Sequence, residues 1–106
     1  MSGSGGGSYG GGGMSDFDCD NVYINTTIMS PDPAVLATVS KGDILEVSLR
    51  SATGPLVAIT NTGGVLGTIA TMELASIIKC ISDGNAYQAE ITGITGGKVQ
   101  ILITRQ

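Results

Sequence analysis

The chain has 106 residues, a net charge of −4 and no histidine, and its five cations are scattered along the sequence. Strong non-specific nucleic-acid binding needs a basic stripe, because phosphate neutralisation supplies most of the affinity, so this composition argues against it. No apolar run approaches the roughly 18–20 residues that span a bilayer, and no secretory signal is recognisable. We therefore expect a cytoplasmic protein that does not bind membranes.

The sequence divides into three unequal parts. Residues 1–13 hold eight of the 17 glycines and no charge, so they cannot bury enough apolar surface to offset their ordering entropy. We expect a disordered tail there, which is either a tether or a self-association segment that uses Tyr9. Residues 14–20 form an acidic linker, and residues 21–106 suit one small domain.

The first half of the domain is predicted to contain two strands. Apolar and polar residues alternate over residues 21–29 and again over residues 44–49, as in half-buried strands. Pro31 and Pro33 end the first strand, because each lacks a backbone donor. A short apolar connector over residues 34–39 follows, with room for one helical turn.

Two more strands flank a glycine-rich turn. Residues 56–60 and 65–69 are apolar runs, and Gly63 and Gly64 between them can take the positive φ that a tight hairpin requires. Gly67 interrupts the second run. A glycine in mid-strand predicts a bulge or the close passage of another backbone.

One amphipathic helix is predicted over residues 71–82. Thr71 suits the N-cap, and Gly84 suits the C-terminal stop. Four apolar residues then lie at i, i+3, i+4 and i+7 on one face: Leu74, Ile77, Ile78 and Ile81.

Two final strands complete the pattern. Residues 85–95 alternate with Tyr87, Ala89 and Ile91 on one face, and the last strand alternates after the Gly96-Gly97 turn. Six strands and a helix in about 90 residues predict a mostly β fold, a small SH3-like or OB-like β-barrel with a single amphipathic helix.

The sequence contains no complete metal-binding or catalytic motif. Asp16, Asp18 and Asp20 alternate, but the glycine and glutamate that a calcium loop needs at its sixth and twelfth positions are absent, so we interpret them as solvated linker residues. Cys19 and Cys80 lack metal-ligand spacing and read as cytosolic thiols. Because no histidine can serve as base, we expect no enzyme and no cofactor.

A family resemblance covers the second half of the chain. The strand Leu56-Val57-Ala58-Ile59, the return Gly64-Val65-Leu66-Gly67-Thr68-Ile69, the helix, Gly84 and the strand Tyr87-Gln88-Ala89-Glu90-Ile91 resemble a HIRAN domain. The resemblance implies a modified OB or SH3-like barrel. Some members of that family recognise the 3′ end of single-stranded DNA, so the resemblance also implies this ligand. The family occurs in helicases and as small standalone bacterial proteins.

These observations favour a binding module for a partner protein or a small ligand. Self-association and recognition of single-stranded nucleic-acid ends are the alternatives. Loops on a rigid scaffold carry function, so the two glycine turns and the loop of residues 51–55 form the candidate surface. The candidate ligand-binding residues are Tyr23, Arg50, Tyr87, Gly63 and Gly64.

Overall fold

A computed structural model describes residues 17–106. The expectations for the glycine-rich tail, Tyr9 and Asp16 lie outside these residues. The elements in chain order are β1 (Tyr23–Met29), α1 (Pro33–Leu36), β2 (Ile44–Leu49), β3 (Leu56–Ile59), β4 (Val65–Thr68), α2 (Leu74–Ser82), β5 (Tyr87–Thr95) and β6 (Lys98–Arg105). The six predicted strands are confirmed, with end shifts of one or two residues.

The strands form one sheet in the order β1-β6-β5-β2-β3-β4, and every neighbouring pair is antiparallel. The two outermost strands curl towards each other. Thr27 of β1 and Ala70 after β4 form an isolated bridge, and the Asp32 N–H donates to the Leu66 carbonyl at 2.8 Å. The sheet is therefore a curled, partly closed barrel with two helices, in agreement with the predicted mostly β, barrel-like fold.

The core lies inside this curl. The predicted alternation is confirmed in β5 and β6, because Tyr87, Ala89 and Ile91 are fully buried while Glu90 is exposed. The other strands also direct every second residue into the core, since neighbouring side chains of a strand point to opposite faces. In β3 the intervening Val57 is buried as well. The core also includes Leu45, Val47, Leu56, Leu66, Ile77, Val99, Ile101 and Ile103.

Gly67 allows β1 and β4 to approach each other. A Cβ added at Gly67 would lie 2.7 Å from the Ile28 Cγ2 atom of β1, which is closer than real Cβ atoms come. The pairing of β3 with β4 also shifts register next to this glycine, between Ala58 and Ile59. The predicted bulge is therefore observed. The close approach at Gly67 is to a side chain and not to another backbone, since the nearest backbone atom, Pro31 Cα, would lie 3.6 Å from the added Cβ.

Helix α2 differs from its prediction at the N-terminus. It begins at Leu74, with Glu73 and not Thr71 in the N-cap position. Thr71 closes the preceding turn instead, since its Oγ1 accepts from the Glu73 N–H at 3.3 Å and donates to Glu73 Oε1 at 2.6 Å. The predicted stop at Gly84 is confirmed, with φ of +102°. Its most buried residues are Ser76, Ile77 and Cys80, while Leu74, Ile78 and Ile81 are half-buried.

Cys19 and Cys80 are not free thiols as expected but form a disulfide, with a Cα–Cα distance of 5.6 Å. Sequence spacing did not reveal the pair because 61 residues separate the two cysteines. The bond fastens residues 17–20 to α2, and the Tyr87 hydroxyl donates to the Cys19 carbonyl at 2.7 Å. These residues thus belong to the folded unit, where Arg105 also pairs with Asp20 at 3.1 Å.

Burial also affects the acidity of Tyr87. Desolvation raises the pKa of its hydroxyl above 10.0, while Arg105 lowers it to a smaller extent. The neutral phenol is thus favoured in the folded state, so its contribution to stability is present below pH about 10 and is lost as the pH rises through the higher folded pKa. No helix within residues 17–106 has the length and apolar character to cross a bilayer.

We predict that Gly67→Ala destabilises the domain by about 1–3 kcal/mol, because the new methyl group overlaps Ile28 in a packed region. Gly97→Ala is the matched control, since a Cβ there meets no atom within 4 Å. Urea unfolding monitored by circular dichroism measures both. Equal midpoints for the two variants would contradict the close approach of β1 to β4.

We also predict that loss of the disulfide lowers the free energy of unfolding by about 2–5 kcal/mol, because the bond closes a long loop in the unfolded chain. Melting with and without a phosphine reductant measures this effect. The Cys19→Ser, Cys80→Ser double variant should melt at the lower temperature and ignore the reductant. A thiol count of two in the folded, untreated protein would show that the pairing is absent.

Candidate functional site

The candidate site arises where β3 leaves β2. The Thr60 N–H donates to the Gly64 carbonyl at 2.8 Å, and the Gly63 N–H donates to the Thr60 carbonyl at 2.9 Å. The Gly64 N–H also donates to Thr60 Oγ1 at 3.0 Å. These bonds turn the chain at Thr60, so β3 pairs with β2 no further than Ile59, which lies opposite Glu46.

This turn leaves the first residue of β2 without a neighbour on the β3 side. Hydrogen-bonded pairs recur every second residue along two antiparallel strands. The Arg50 N–H donates to the Pro55 carbonyl at 3.0 Å, so Ser48 and Glu46 also direct their backbone groups towards β3. In this series Ile44 would pair with Asn61, but no backbone hydrogen bond joins them in the part of the chain described here.

The other side of β2 leads to the same conclusion. The Ile91 N–H donates to the Asp43 carbonyl at 2.9 Å, so the carbonyl of Asp43 points towards β5. Since the direction alternates, Leu45 also bonds towards β5, where it pairs with Ala89. The N–H and C=O of Ile44 therefore point away from β5, into the space that β3 has left.

That space is a groove, which we call the β2–β3 groove. It consists of two adjoining hollows of about 220 and 500 Å³. Both hollows are lined by Ile44, Leu45, Thr60 and Asn61. Both hollows are partly open to solvent. The remaining lining residues are Thr38, Val39, Asp43, Glu46, Ile59, Thr62, Gly63 and Gln106.

The groove is acidic with an apolar centre. The Ile44 side chain is 48% exposed, and Glu90 lies opposite it on β5. Glu46 and Glu90 make no ion pair with any cation of residues 17–106, and no lysine or arginine lines the groove. Asp43 is engaged within its turn, where Oδ2 accepts from the Ser40 N–H at 2.9 Å.

A third hollow, of about 580 Å³, lies at the seam between β1 and the segment that leads to α2. Met72 in its wall is fully exposed. Thr27 and Ala70 form a bridge there, and Thr26 Oγ1 donates to the Ala70 carbonyl at 2.8 Å. Part of the backbone at this seam is therefore already engaged.

The glycines predicted for the site lie at this groove. Gly63 lines it with φ of +92°, a conformation that favours glycine. Gly64 supports the turn instead, since a Cβ there would lie 3.3 Å from both Thr60 Oγ1 and Val35 Cγ2. The two residues therefore shape the site through the backbone.

The other three predicted site residues lie elsewhere. Tyr87 is buried in the core, so its ring cannot stack on a ligand. Tyr23 is 72% exposed on β1, which is three strands away from β2. Arg50 follows the opposite end of β2 from Ile44, about 20 Å along the strand. The fold does not bring these residues together with Gly63 into one site.

Sequence reasoning missed Ile44, Glu46, Asn61 and Glu90. A faint signal existed, because the predicted β2 has six residues and the predicted β3 only five, which leaves one residue of β2 unmatched. Which residue that is depends on the register and on the position of the turn. Alternation alone does not determine either of them.

The groove supplies binding groups but no evident catalytic pair. Its hydroxyls are used internally: Thr60 Oγ1 and Thr62 Oγ1 lie 3.0 Å apart, and Thr38 Oγ1 donates to the Val35 carbonyl at 2.7 Å. Both cysteines are in the disulfide. Within residues 17–106 no three acidic, cysteine or histidine side chains are grouped to hold a metal ion.

Comparisons of this chain with protein-family models, curated proteins and solved structures find no match. Function lives in sites rather than folds, so it is inferred here from the groove itself.

We predict that Ile44→Pro changes the free energy of unfolding by less than about 1 kcal/mol, because the lost N–H has no partner and proline is tolerated at the first residue of a strand. Glu46→Pro is the contrasting variant. It removes a ladder bond to Ile59 and should cost about 3 kcal/mol or unfold the domain.

Urea unfolding of both proline variants supplies the comparison. Equal, large losses of stability would show that the Ile44 N–H is bonded in the folded protein.

Proposed function

We propose that this chain is a non-enzymatic binding module whose ligand, a segment of a partner protein or a small molecule, occupies the β2–β3 groove. The observation that carries the proposal is that the N–H and C=O of Ile44 have no backbone partner within residues 17–106 and face a hollow instead of a neighbouring strand. Ile44 is 48% exposed, so water pairs with these groups until a ligand replaces it. A ligand with its own donor and acceptor would satisfy both groups.

The surroundings of Ile44 support ligand binding. The walls combine apolar side chains, Ile44 and Ile59, with polar groups of Asn61 and Gln106. Such a mixture of apolar surface and a few polar groups is typical of ligand sites. The turn at Thr60 is rigidly hydrogen-bonded, so the site would change little when a ligand enters.

The absence of catalysis is also part of the proposal. Acid–base catalysis needs a group that titrates near the working pH or an activated nucleophile. The groove offers carboxylates, amides and hydroxyls, and the sequence contains no histidine. A binding role requires none of these activated groups.

The type of barrel and the relationship to HIRAN domains remain proposals. In support, the order of strand, glycine turn, strand, helix and strand over residues 56–91 corresponds to the second half of that family. The matching function, recognition of a single-stranded nucleic-acid end, is the rival candidate. Tyr23 favours it as an exposed aromatic ring, whereas the burial of Tyr87 and the pairing of Arg105 with Asp20 weigh against it.

Cytoplasmic location likewise remains a prediction from sequence. The Cys19–Cys80 disulfide weighs against it, because reducing compartments keep most cysteines as thiols. An oxidising compartment would suit the domain better. Binding in the groove is independent of this choice, since neither cysteine lines it.

Amide NMR spectra of the full chain test the proposal. The probes are a mixture of end-blocked hexapeptides of randomised sequence and a library of small-molecule fragments. We expect shifts at Ile44, Asn61 and Gly63 in the wild type, and weaker shifts at Asn61 and Gly63 in Ile44→Pro, which has no amide proton at position 44. If neither probe shifts these amides, the groove is not a ligand site.

A single-stranded oligodeoxythymidylate is the comparison probe. Shifts confined to the region of Tyr23 and Arg50, and reversed by salt, would establish the rival function and overturn the proposal.

A further inference from the structure

We infer that the ligand of the β2–β3 groove is an extended peptide segment with a lysine or arginine, added beside Ile44 as a short extra strand. This inference rests on the proposed function and names the class of its ligand. Two independent features of the groove lead to it. One is the direction of the free backbone groups, and the other is the charge around the Ile44 side chain.

The backbone of Ile44 matches an incoming strand. Its N–H and C=O lie on the same side of β2, as in one hydrogen-bonded pair of an antiparallel ladder. A peptide residue in extended conformation presents the same two groups in complementary order. Addition of a strand at an open sheet edge is an established mode of peptide recognition.

The position of the edge limits the length of the added strand. At Glu46 the place beside β2 is occupied by Ile59, and on the other side of Ile44 the N–H of Gly42 donates to the Ile91 carbonyl at 2.7 Å. Only the backbone of Ile44 is therefore free for pairing. The peptide contributes one such residue, and its neighbours contact the walls formed by Asn61 and Thr62.

Charge selects the side chain at that residue. The paired residue directs its side chain to the same face as Ile44, because cross-strand neighbours share a face. On that face Ile44 lies beside Glu90, and Glu46 follows two residues along β2. A lysine or arginine can lay its aliphatic stem on the exposed Ile44 side chain and place its charge between the two carboxylates.

The local charge balance favours a cation. Glu46 and Glu90 share the face of Ile44, and Lys41 in the preceding turn is the nearest cation along the chain. Lys41 makes no ion pair within the described part of the chain. An acidic peptide would meet uncompensated repulsion here, whereas a basic peptide completes the set of charges.

The experiment compares two end-blocked pentapeptides, acetyl-Thr-Val-Lys-Val-Thr-amide and the same peptide with glutamine at the central position. Titration of the full chain is followed by amide NMR at low and physiological salt. We expect the lysine peptide to bind about two- to fivefold tighter per carboxylate engaged. This advantage should decline with salt, because the carboxylates are exposed.

Four variants locate the effect. Glu46→Gln and Glu90→Gln should each remove part of the lysine preference, and Glu73→Gln, with the same change of net charge at a distant turn, should leave it intact. Ile44→Pro should weaken both peptides alike, since it removes the pairing N–H.

The outcomes separate the two proposals. Equal binding of both peptides at the groove would overturn the basic-peptide inference and leave the binding site standing. Binding of fragments at the groove without either peptide would also overturn it. If no probe of any kind binds at the groove, the proposed function fails as well.

Discussion

The turn at Thr60 is the constraint on which the functional account depends. Three hydrogen bonds fold the chain back between Thr60 and Gly64, so β3 stops pairing with β2 at Ile59. Had β3 continued by two residues, Asn61 would cover Ile44 and the groove would not exist. The open backbone pair thus follows directly from where one hairpin turn begins.

The rest of the fold makes this arrangement rigid. Gly67 lets β1 lie against β4, so the sheet curls around a closed core. Strand β2 lies in the interior of the strand order, with β5 on one side and β3 on the other. The disulfide and the Tyr87 hydroxyl hold residues 17–20 against α2 and β5. Strand β2 pairs with β5 from Ile44 onwards but with β3 only from Glu46 onwards. The proposed ligand site is this gap beside an otherwise paired strand.

The sequence predicted the secondary-structure elements better than the contacts between them. Alternation located four strands, and apolar runs beside a glycine turn located the other two. Gly67 and Gly84 signalled a bulge and a helix end, since glycine adopts conformations that other residues do not. The pairing of Cys19 with Cys80 and the free backbone of Ile44 depend on contacts between distant segments. Local patterns contain no information about such contacts. The same limit explains why Tyr87, on one face of an alternating strand, was also a candidate ligand-binding residue.

Hydrogen exchange at the Ile44 amide, measured residue by residue by NMR, tests the central claim most directly. The account predicts that the Ile44 amide exchanges near the rate of an unprotected amide. The amides of the next two residues, Leu45 and Glu46, should be protected, because Leu45 pairs with β5 and Glu46 pairs with β3. Protection of Ile44 equal to that of Leu45 and Glu46 would contradict the account. It would mean that the groove is closed in solution by a backbone partner.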